Sequence, residues 1–266
     1  MSTMKDIAQI AKEAVLLAGK EALTYFRKEH IYHHKGEDTN FATEADLAAE
    51  KVLFDIVKTT FPGHNFLSEE MGLADKRGEY TWVVDPIDGT FNFSHGQPLW
   101  GVECGIFKEN KPIMGFLYFP VLNELFWAEK GKGAYLGQEK ISVSNLEKLS
   151  SSLIAFSTAY PAQRKLQKFP FEKFMRKFDS VTSLSLSTAY DLAAVAGGRV
   201  DGFIEEITCI WDIAGGVVLV EEAGGKVSDW SGNPISWEPR KNKYYEIIGA
   251  NPHLHGLIIE KFNDLI

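Results

Sequence analysis

Two aspartates three positions apart are the residues of this sequence whose spacing most clearly indicates chemistry. Asp85 and Asp88 belong to the segment Asp85-Pro86-Ile87-Asp88-Gly89-Thr90, which directly follows an apolar, β-branched run at residues 80–84. Two carboxylates at the end of a buried strand repel each other unless a cation lies between them. Magnesium suits this donor set, because it takes hard oxygen ligands from one or two carboxylates and completes its shell with water and phosphate. The segment therefore predicts a site where magnesium meets a phosphate group.

The two residues after Asp88 add groups that suit an anion. Gly89 allows a tight turn, and a helix that starts at Thr90 would direct free N–H groups toward a bound phosphate. Spacing excludes two other acidic motifs. A haloacid-dehalogenase-type phosphatase needs a single residue between its aspartates, and an EF-hand loop starting at Asp85 would need oxygen ligands where Ile87 and Gly89 stand.

Helices and strands must bring this segment together with the other acidic positions. Apolar spacing predicts helices at residues 4–29 and 43–60, and Pro86 is expected to end the strand at residues 80–84 because proline cannot donate to the ladder. Glycine-punctuated apolar runs predict an antiparallel meander at residues 100–107, 111–118 and 124–129. Strands and helices then alternate at residues 153–157, 189–197, 201–205, 212–223 and 226–228. We expect a mixed α+β and α/β chain in two parts, 1–140 with the metal-binding motifs and 141–266 with Asp212 and substrate contacts.

Composition restricts the partners of the chain. Its 266 residues carry a formal net charge of −8. Binders of nucleic acid usually present a basic face, so we expect no nucleic acid polymer as a partner. No run approaches the roughly 20 consecutive apolar residues of a membrane-spanning helix. The start is charged, with Lys5 and Asp6, unlike a signal peptide, so the sequence favours a cytoplasmic protein without membrane contacts.

Four segments, in order along the chain, resemble motifs of the inositol monophosphatase family. They are Thr43-Glu44-Ala45-Asp46, Leu67-Ser68-Glu69-Glu70, Trp82-Val83-Val84-Asp85-Pro86-Ile87-Asp88-Gly89-Thr90-Phe91-Asn92-Phe93 and Trp211-Asp212-Ile213-Ala214-Gly215-Gly216. The resemblance extends over nearly the whole chain. It implies a layered αβαβα sandwich, magnesium-dependent hydrolysis of a phosphate monoester by a metal-activated water, sensitivity to lithium and a homodimer.

The same resemblance implies a role for each matching position. Two or three Mg²⁺ ions would be bound by four carboxylates and one backbone carbonyl, namely those of Glu69, Asp85, Ile87, Asp88 and Asp212. The catalytic group would comprise Asp46 and Thr90, which orient and deprotonate the attacking water, and Glu69, which helps to hold a third ion. Substrate contacts would come from Asp88, Gly89, Thr90, Glu205 and Asp212.

Three of these acidic residues also have a purely structural explanation. Asp46 follows Thr43 at the spacing of a capping box, Asp212 precedes a predicted helix and could cap it, and Glu205 could be a surface charge at a strand end. Lys35 occupies a loop where the family often has a lysine near the metals, but a solvated side chain is the simpler expectation.

One segment departs from the family pattern and leaves the substrate open. Many members have Arg-x-x-Gly-Ser-Ala where this chain has Ser183-Leu184-Ser185-Leu186-Ser187-Thr188. Inositol monophosphate is the first substrate that the resemblance implies. Fructose 1,6-bisphosphate, NADP(H) and 3′-phosphoadenosine phosphates are alternatives, as is a protein that binds metal or a phospho-ligand without catalysis.

Overall fold

The computed structural model describes residues 3–35, 41–157, 180–239 and 243–263. Its α-helices are α1 (Met4–Leu23), α2 (Glu44–Thr60), α3 (Thr90–Ser94), α4 (Thr188–Ala196), α5 (Ala214–Glu222) and α6 (Pro252–Asn263). Short 3-10 helices occur at Leu149–Ser151 and Ile210–Asp212. Within the described ranges, no helix combines the length and the apolar content that crossing a bilayer requires.

The strands of these described residues form three sheets. A two-stranded antiparallel sheet contains β1 (Tyr32–His34) and β2 (Phe41–Thr43). An eight-stranded sheet has the order β10-β9-β8-β7-β6-β5-β3-β4, with β3 (Asn65–Ser68), β4 (Gly72–Ala74), β5 (Tyr80–Asp88), β6 (Gly101–Lys108), β7 (Lys111–Phe119), β8 (Glu124–Glu129), β9 (Gly133–Leu136) and β10 (Glu139–Ile141). A five-stranded sheet has the order β12-β11-β13-β15-β14, with β11 (Leu153–Ser157), β12 (Val181–Ser183), β13 (Gly202–Thr208), β14 (Lys226–Ser228) and β15 (Tyr245–Ala250).

Helices and sheets stack in five layers. Helices α1 and α2 cover one face of the eight-stranded sheet, where Leu53 and Trp82 belong to one buried cluster. Helices α4 and α5 lie between the two large sheets, and a second cluster joins Leu117 of one sheet to Phe203 of the other. Helix α6 covers the far face of the five-stranded sheet through Leu254. This order of helix, sheet, helix, sheet and helix confirms the predicted layered sandwich.

Helix α1 is shorter than its sequence predicts. It ends at Leu23 rather than at residue 29, and its last turns tighten into bonds such as Tyr25 N–H to Ala22 O at 3.0 Å. Thr24 and the aromatic residues after it are weaker helix formers than the alanines and leucines before them. Arg27 then adopts a φ of +59°, which a right-handed helix cannot accommodate.

Strand β5 continues through the proline that was expected to end it. Asp85 pairs with Glu103 and Asp88 pairs with Gly101, so three residue steps on β5 match two steps on β6. Because Pro86 has no N–H for the ladder, the strand bulges at this point and then resumes pairing. The predicted end of the strand at residue 84 is therefore wrong, and both aspartates lie within β5.

The meander and the strands of the second half match their predictions within three residues, while the helix predicted at residues 212–223 is divided. Residues Ile210–Asp212 form a 3-10 turn, and α5 begins at Ala214. The division of the chain into parts 1–140 and 141–266 stays a prediction. The second buried cluster contains side chains from both parts, including Leu117 and Leu192.

Candidate active site

Three carboxylates from two distant segments converge between the large sheets. Asp85, Asp88 and Asp212 each contribute one oxygen to a group whose members all lie within 4.8 Å of one another. Residues three positions apart face opposite sides of a regular strand. The bulge between Asp85 and Asp88 adds one residue to β5, so both side chains can face the same side.

The protein fixes one oxygen of each carboxylate with hydrogen bonds. The Oδ2 atom of Asp212 accepts from Thr208 Oγ1 and from Cys209 N, both at 2.9 Å. Both donors precede Asp212, and α5 begins after Ile213 without a side-chain cap, so the explanation of Asp212 as the cap of the helix that follows it is wrong. The Oδ2 atom of Asp88 accepts from the Ser187 hydroxyl and, at 3.1 Å, from Ala189 N. Asp85 Oδ1 accepts from Ile87 N at 2.9 Å. These bonds orient the three carboxylates before any ligand arrives.

Burial and mutual repulsion act against the charged forms of the three carboxylates. Burial raises the pKa of Asp85 well above its usual range, and the charges of Glu69, Asp212 and Asp88 raise it further. Burial and then the charge of Asp212 act in the same way on the pKa of Asp88. Burial and then the charge of Glu69 raise the pKa of Asp212 to about 7. No lysine or arginine of the described ranges forms an ion pair with these three residues.

A hard divalent cation fits this donor set. Buried, oriented carboxylate oxygens that repel one another are the ligands that Mg²⁺ and similar ions prefer. A bound cation would lower the raised pKa values and supply the missing positive charge. The residues could therefore hold a metal ion.

The two carboxylate oxygens of Asp46 contact different residues, Thr43 and Thr90. Its Oδ2 accepts from Thr43 N and Thr43 Oγ1, both at 2.7 Å, which confirms the capping box at the start of α2. Its Oδ1 lies 3.4 Å from Thr90 Oγ1, which also lies 3.0 Å from the Ile87 carbonyl oxygen. Burial raises the pKa of Asp46 to about 7, although the Thr43 bonds oppose this effect. The cap and the contact with Thr90 coexist.

Gly89 joins β5 to α3 in a conformation that favours glycine. Its φ is +85°, and it is the N-cap of the helix that begins at Thr90, as the sequence predicts. A Cβ atom at this position would lie 3.0 Å from Leu99 O and 3.2 Å from Ser187 Cβ. Both the backbone conformation and the close neighbours therefore exclude a side chain here.

Glu69 lies beside the carboxylate cluster but is ion-paired with a lysine. Its Oε1 is 2.8 Å from Lys35 Nζ, and Lys35 also forms an ion pair with Glu70. Burial alone would lower the pKa of Lys35, but the two glutamate charges outweigh it and raise the pKa. The expectation of a merely solvated Lys35 is wrong, because this residue directly follows β1 and its side chain contacts the acidic turn after β3.

Glu205 is a buried residue of β13, so its interpretation as a surface charge is wrong. It is 5% exposed, and both of its carboxylate oxygens lie near Thr188 Oγ1, at 3.1 and 3.0 Å. Burial, then the charge of Asp212, raises its pKa well above the usual range. Glu205 therefore lies close enough to the carboxylate cluster to interact with it.

The segment of residues 183–188 turns its polar side inward and its apolar side outward. Ser187 is buried and donates to Asp88, and the Ser185 carbonyl accepts from Asn92 Nδ2 at 2.7 Å. Leu184 and Leu186 are 66% and 58% exposed. Sequence reasoning missed the role of Ser187 as a hydrogen-bond donor to Asp88, because nothing local links residues 99 positions apart.

Comparisons with known proteins agree with this geometry. A model of the inositol monophosphatase family matches residues 3–266. Inositol monophosphatase 2 of Solanum lycopersicum is 35% identical over 269 residues, covering 98% of this chain and 99% of that protein. An Aquifex aeolicus protein named fructose-1,6-bisphosphatase/inositol-1-monophosphatase is 33% identical over 265 residues, covering 98% and 96%. The crystal structure of the extragenic suppressor protein suhB from Bartonella henselae superposes with a TM-score of 0.88 at 29% identity, covering 98% of this chain and 99% of that one.

The fold, the acidic cluster and these relatives define the class as a phosphoric monoester hydrolase with a site that could hold metal. More particularly, the chain belongs to the inositol monophosphatase family, and the match extends over nearly its whole length.

Proposed function

We propose that this chain hydrolyses a small-molecule phosphate monoester with the help of two or three Mg²⁺ ions, and that inositol monophosphate is the first substrate to test. The observation that carries this proposal is the group of three carboxylate oxygens within 4.8 Å of one another. The proposed metal ligands are Glu69, Asp85, the Ile87 carbonyl, Asp88 and Asp212.

The residues around the cluster have groups that could transfer a proton and bind a phosphate. Divalent ions bound at the cluster would offset its negative charge, polarise the phosphoryl group and make water easier to deprotonate. The Thr90 hydroxyl orients the attacking water, takes a proton from it and passes its own proton to Asp46 Oδ1, which lies 3.4 Å away. A carboxylate whose pKa is about 7 is well matched to accept a proton near neutral pH. The N–H groups of Gly89 and Thr90 bind phosphate oxygens.

Glu205 is the proposed contact for a hydroxyl group of the substrate. Thr188 holds both carboxylate oxygens at about hydrogen-bond distance, at 3.1 and 3.0 Å, which orients the side chain. Asp88 and Asp212 complete the proposed substrate contacts. Fructose 1,6-bisphosphate is the second substrate to test, because the name of the Aquifex aeolicus relative includes fructose-1,6-bisphosphatase as well as inositol-1-monophosphatase. NADP(H) and 3′-phosphoadenosine phosphates belong in the same panel.

Three further expectations from the family resemblance and the sequence complete the proposal. The enzyme would be inhibited by lithium, would form a homodimer and would reside in the cytoplasm without binding membranes or nucleic acid polymers. Lithium titration of the activity, light scattering of the purified protein and cell fractionation test these points in turn.

The decisive assay measures phosphate release from the substrate panel with and without Mg²⁺. We expect turnover only with Mg²⁺ and a loss of turnover in Asp88→Asn. Asp55→Asn is the matched control, because Asp55 is an exposed residue of α2 that pairs with Lys51 and does not belong to the cluster. The proposal fails if no phosphate monoester is hydrolysed with Mg²⁺, and the ligand assignment fails if Asp88→Asn retains full activity.

A further inference from the structure

Glu103 is a fully buried carboxylate on β6 to which the proposed reaction gives no role. Its side chain is 0% exposed. Its Oε1 accepts hydrogen bonds from Gly215 N at 2.6 Å and from Gly216 N at 3.1 Å, in the first turn of α5. Its Oε2 has no hydrogen-bond partner among the residues that the structure describes.

A carboxylate at this position is costly for folding. Its strand neighbours Val102 and Cys104 are buried apolar residues, and the charges of Asp88 and Asp212 act against its own. An apolar side chain of similar size would remove the unpaired Oε2, although it would also leave the Gly215 and Gly216 N–H groups without this acceptor. Hydrogen bonds to the first N–H groups of a helix offset only part of this cost.

Glu103 connects the two segments that supply the carboxylate cluster. In the ladder between β5 and β6, it lies directly opposite Asp85. Through Oε1, it holds two residues that follow Asp212 by three and four positions. One side chain therefore links β6, the ladder partner of the strand that carries the first two ligands, to the helix that begins after the third.

The helix lies unusually close to the sheet at this point, so a small shift matters. A Cβ atom on Gly105 of β6 would lie 2.5 Å from Ala214 Cβ. A Cβ atom on Gly115 of β7 would lie 2.1 Å from the Gly215 carbonyl oxygen. Glycines permit this close approach, but they supply no directional bond that would fix where the helix starts. The two bonds to Glu103 supply that direction.

We propose that Glu103 is a positioning residue of the cation site: its Oε1 fixes the first turn of α5 on β6 and thereby sets Asp212 against Asp85 and Asp88. Mg²⁺ and Mn²⁺ need near-ideal distances to their oxygen ligands, within about 0.2 Å, so a displaced helix start would weaken binding. This inference rests on the proposed function only in requiring that the cluster binds a divalent cation.

The test measures Mn²⁺ binding to the substrate-free protein by electron paramagnetic resonance, which does not depend on turnover. Glu103→Met keeps the length of the side chain but removes the strong acceptor, and we expect Mn²⁺ affinity to fall about tenfold or more, as for other residues that orient metal ligands. Glu103→Gln keeps an Oε1 acceptor for both N–H groups, so its affinity should stay close to that of the wild type.

Glu222 provides a matched control at the other end of the same helix. Its carboxylate accepts from Gly131 N at 2.9 Å and Gly133 N at 2.8 Å, so it makes the same kind of bonds to two glycine amides. Glu222→Met should lower the melting temperature and leave Mn²⁺ affinity unchanged. This pair of variants separates a loss of stability from a loss of ligand geometry.

Two results would overturn the inference. One is wild-type Mn²⁺ affinity in Glu103→Met, and the other is an equal loss of affinity in Glu103→Gln and Glu103→Met. If Glu103→Met does not fold, Glu103→Asp takes its place in the test, because it shortens the side chain by one methylene. Wild-type Mn²⁺ affinity in Glu103→Asp would then overturn the inference. Absence of Mn²⁺ binding in the wild-type protein would instead refute the proposed function and the inference together.

Discussion

The substitution Asp88→Asn should stabilise the metal-free protein while it removes the cation site. The cluster oxygens lie within 4.8 Å of one another, and at that distance two unit charges repel by about 3.5 kcal/mol at an effective dielectric constant of about 20. Asp88 takes part in two such pairs, with Asp85 and with Asp212. Partial protonation of the wild-type cluster already relieves much of this repulsion. We therefore expect Asp88→Asn to raise the free energy of unfolding by about 2 kcal/mol rather than by the full repulsion.

The neutral side chain can keep the hydrogen bonds of the original one. An asparagine oxygen still accepts from the Ser187 hydroxyl and from Ala189 N, so the change removes charge more than contacts. A gain of about 2 kcal/mol corresponds to a rise of roughly 4–8 °C in melting temperature for a chain of this size. Differential scanning calorimetry at pH 7.5 with EDTA measures this rise.

Addition of Mg²⁺ should reverse the order of the two proteins. A ligand at about 100 times its dissociation constant stabilises the folded state by about 2.7 kcal/mol, and only the wild type should show this effect in full. Asp55→Asn, which removes an exposed helix pair, should change stability by no more than about 0.5 kcal/mol under either condition. If Asp88→Asn melts at or below the wild-type temperature in EDTA, mutual repulsion does not dominate the cluster, and our electrostatic reasoning is wrong.

Three other predictions concern Thr90, the titration of the site and Leu186. Thr90→Ala should lower kcat by about 10²–10⁴ and leave Mn²⁺ affinity intact, whereas a loss of Mn²⁺ binding in resonance measurements would contradict a role in proton handling. The pKa values of Asp46 and Asp212 are raised from 3.8 to about 7, so the folded state keeps protons that the unfolded chain releases. The metal-free protein should therefore lose stability as pH rises from about 4 through about 7, and an equal or higher melting temperature at pH 8 than at pH 5.5 in EDTA would refute this. Leu186→Gly should raise the free energy of unfolding by about 1 kcal/mol in urea titrations, because Leu186 has a φ of +60°, while Leu184→Gly should bring no such gain.

The sequence predicts those parts of the site that depend on local pattern. Asp85 and Asp88 follow an apolar β-branched run, and Gly89 stands where a positive φ is needed. The capping box of Asp46 is also a local pattern, because its partner Thr43 is three residues away. Local chemistry determines each of these features, so the sequence alone is sufficient to predict them.

Contacts between distant segments depend on tertiary packing, and local sequence patterns do not predict them. Glu103 bonds to Gly215, which is 112 positions away, and its one local signal is an acidic residue within the apolar run of β6. The ion pairs of Lys35 depend on how the end of β1 lies against the turn after β3, and no local pattern indicates that arrangement. Pro86 was expected to end β5, but pairing with β6 resumes beyond it, and the partner strand decides that outcome.

The bulge in β5 makes the site sensitive to insertions and deletions in β5 and β6. Three steps on β5 match two on β6, so the extra residue shifts the alternation of the strand by one position between the two aspartates. Insertion of one residue into β6 between Gly101 and Glu103 would match three steps on β6 to the three on β5, restore a regular ladder and turn one of the two carboxylates to the opposite face. The resulting protein could keep the sandwich and lose its cation site. A change of one residue in the length of β6 at this point could therefore silence a relative of this chain even though every carboxylate of the cluster is kept.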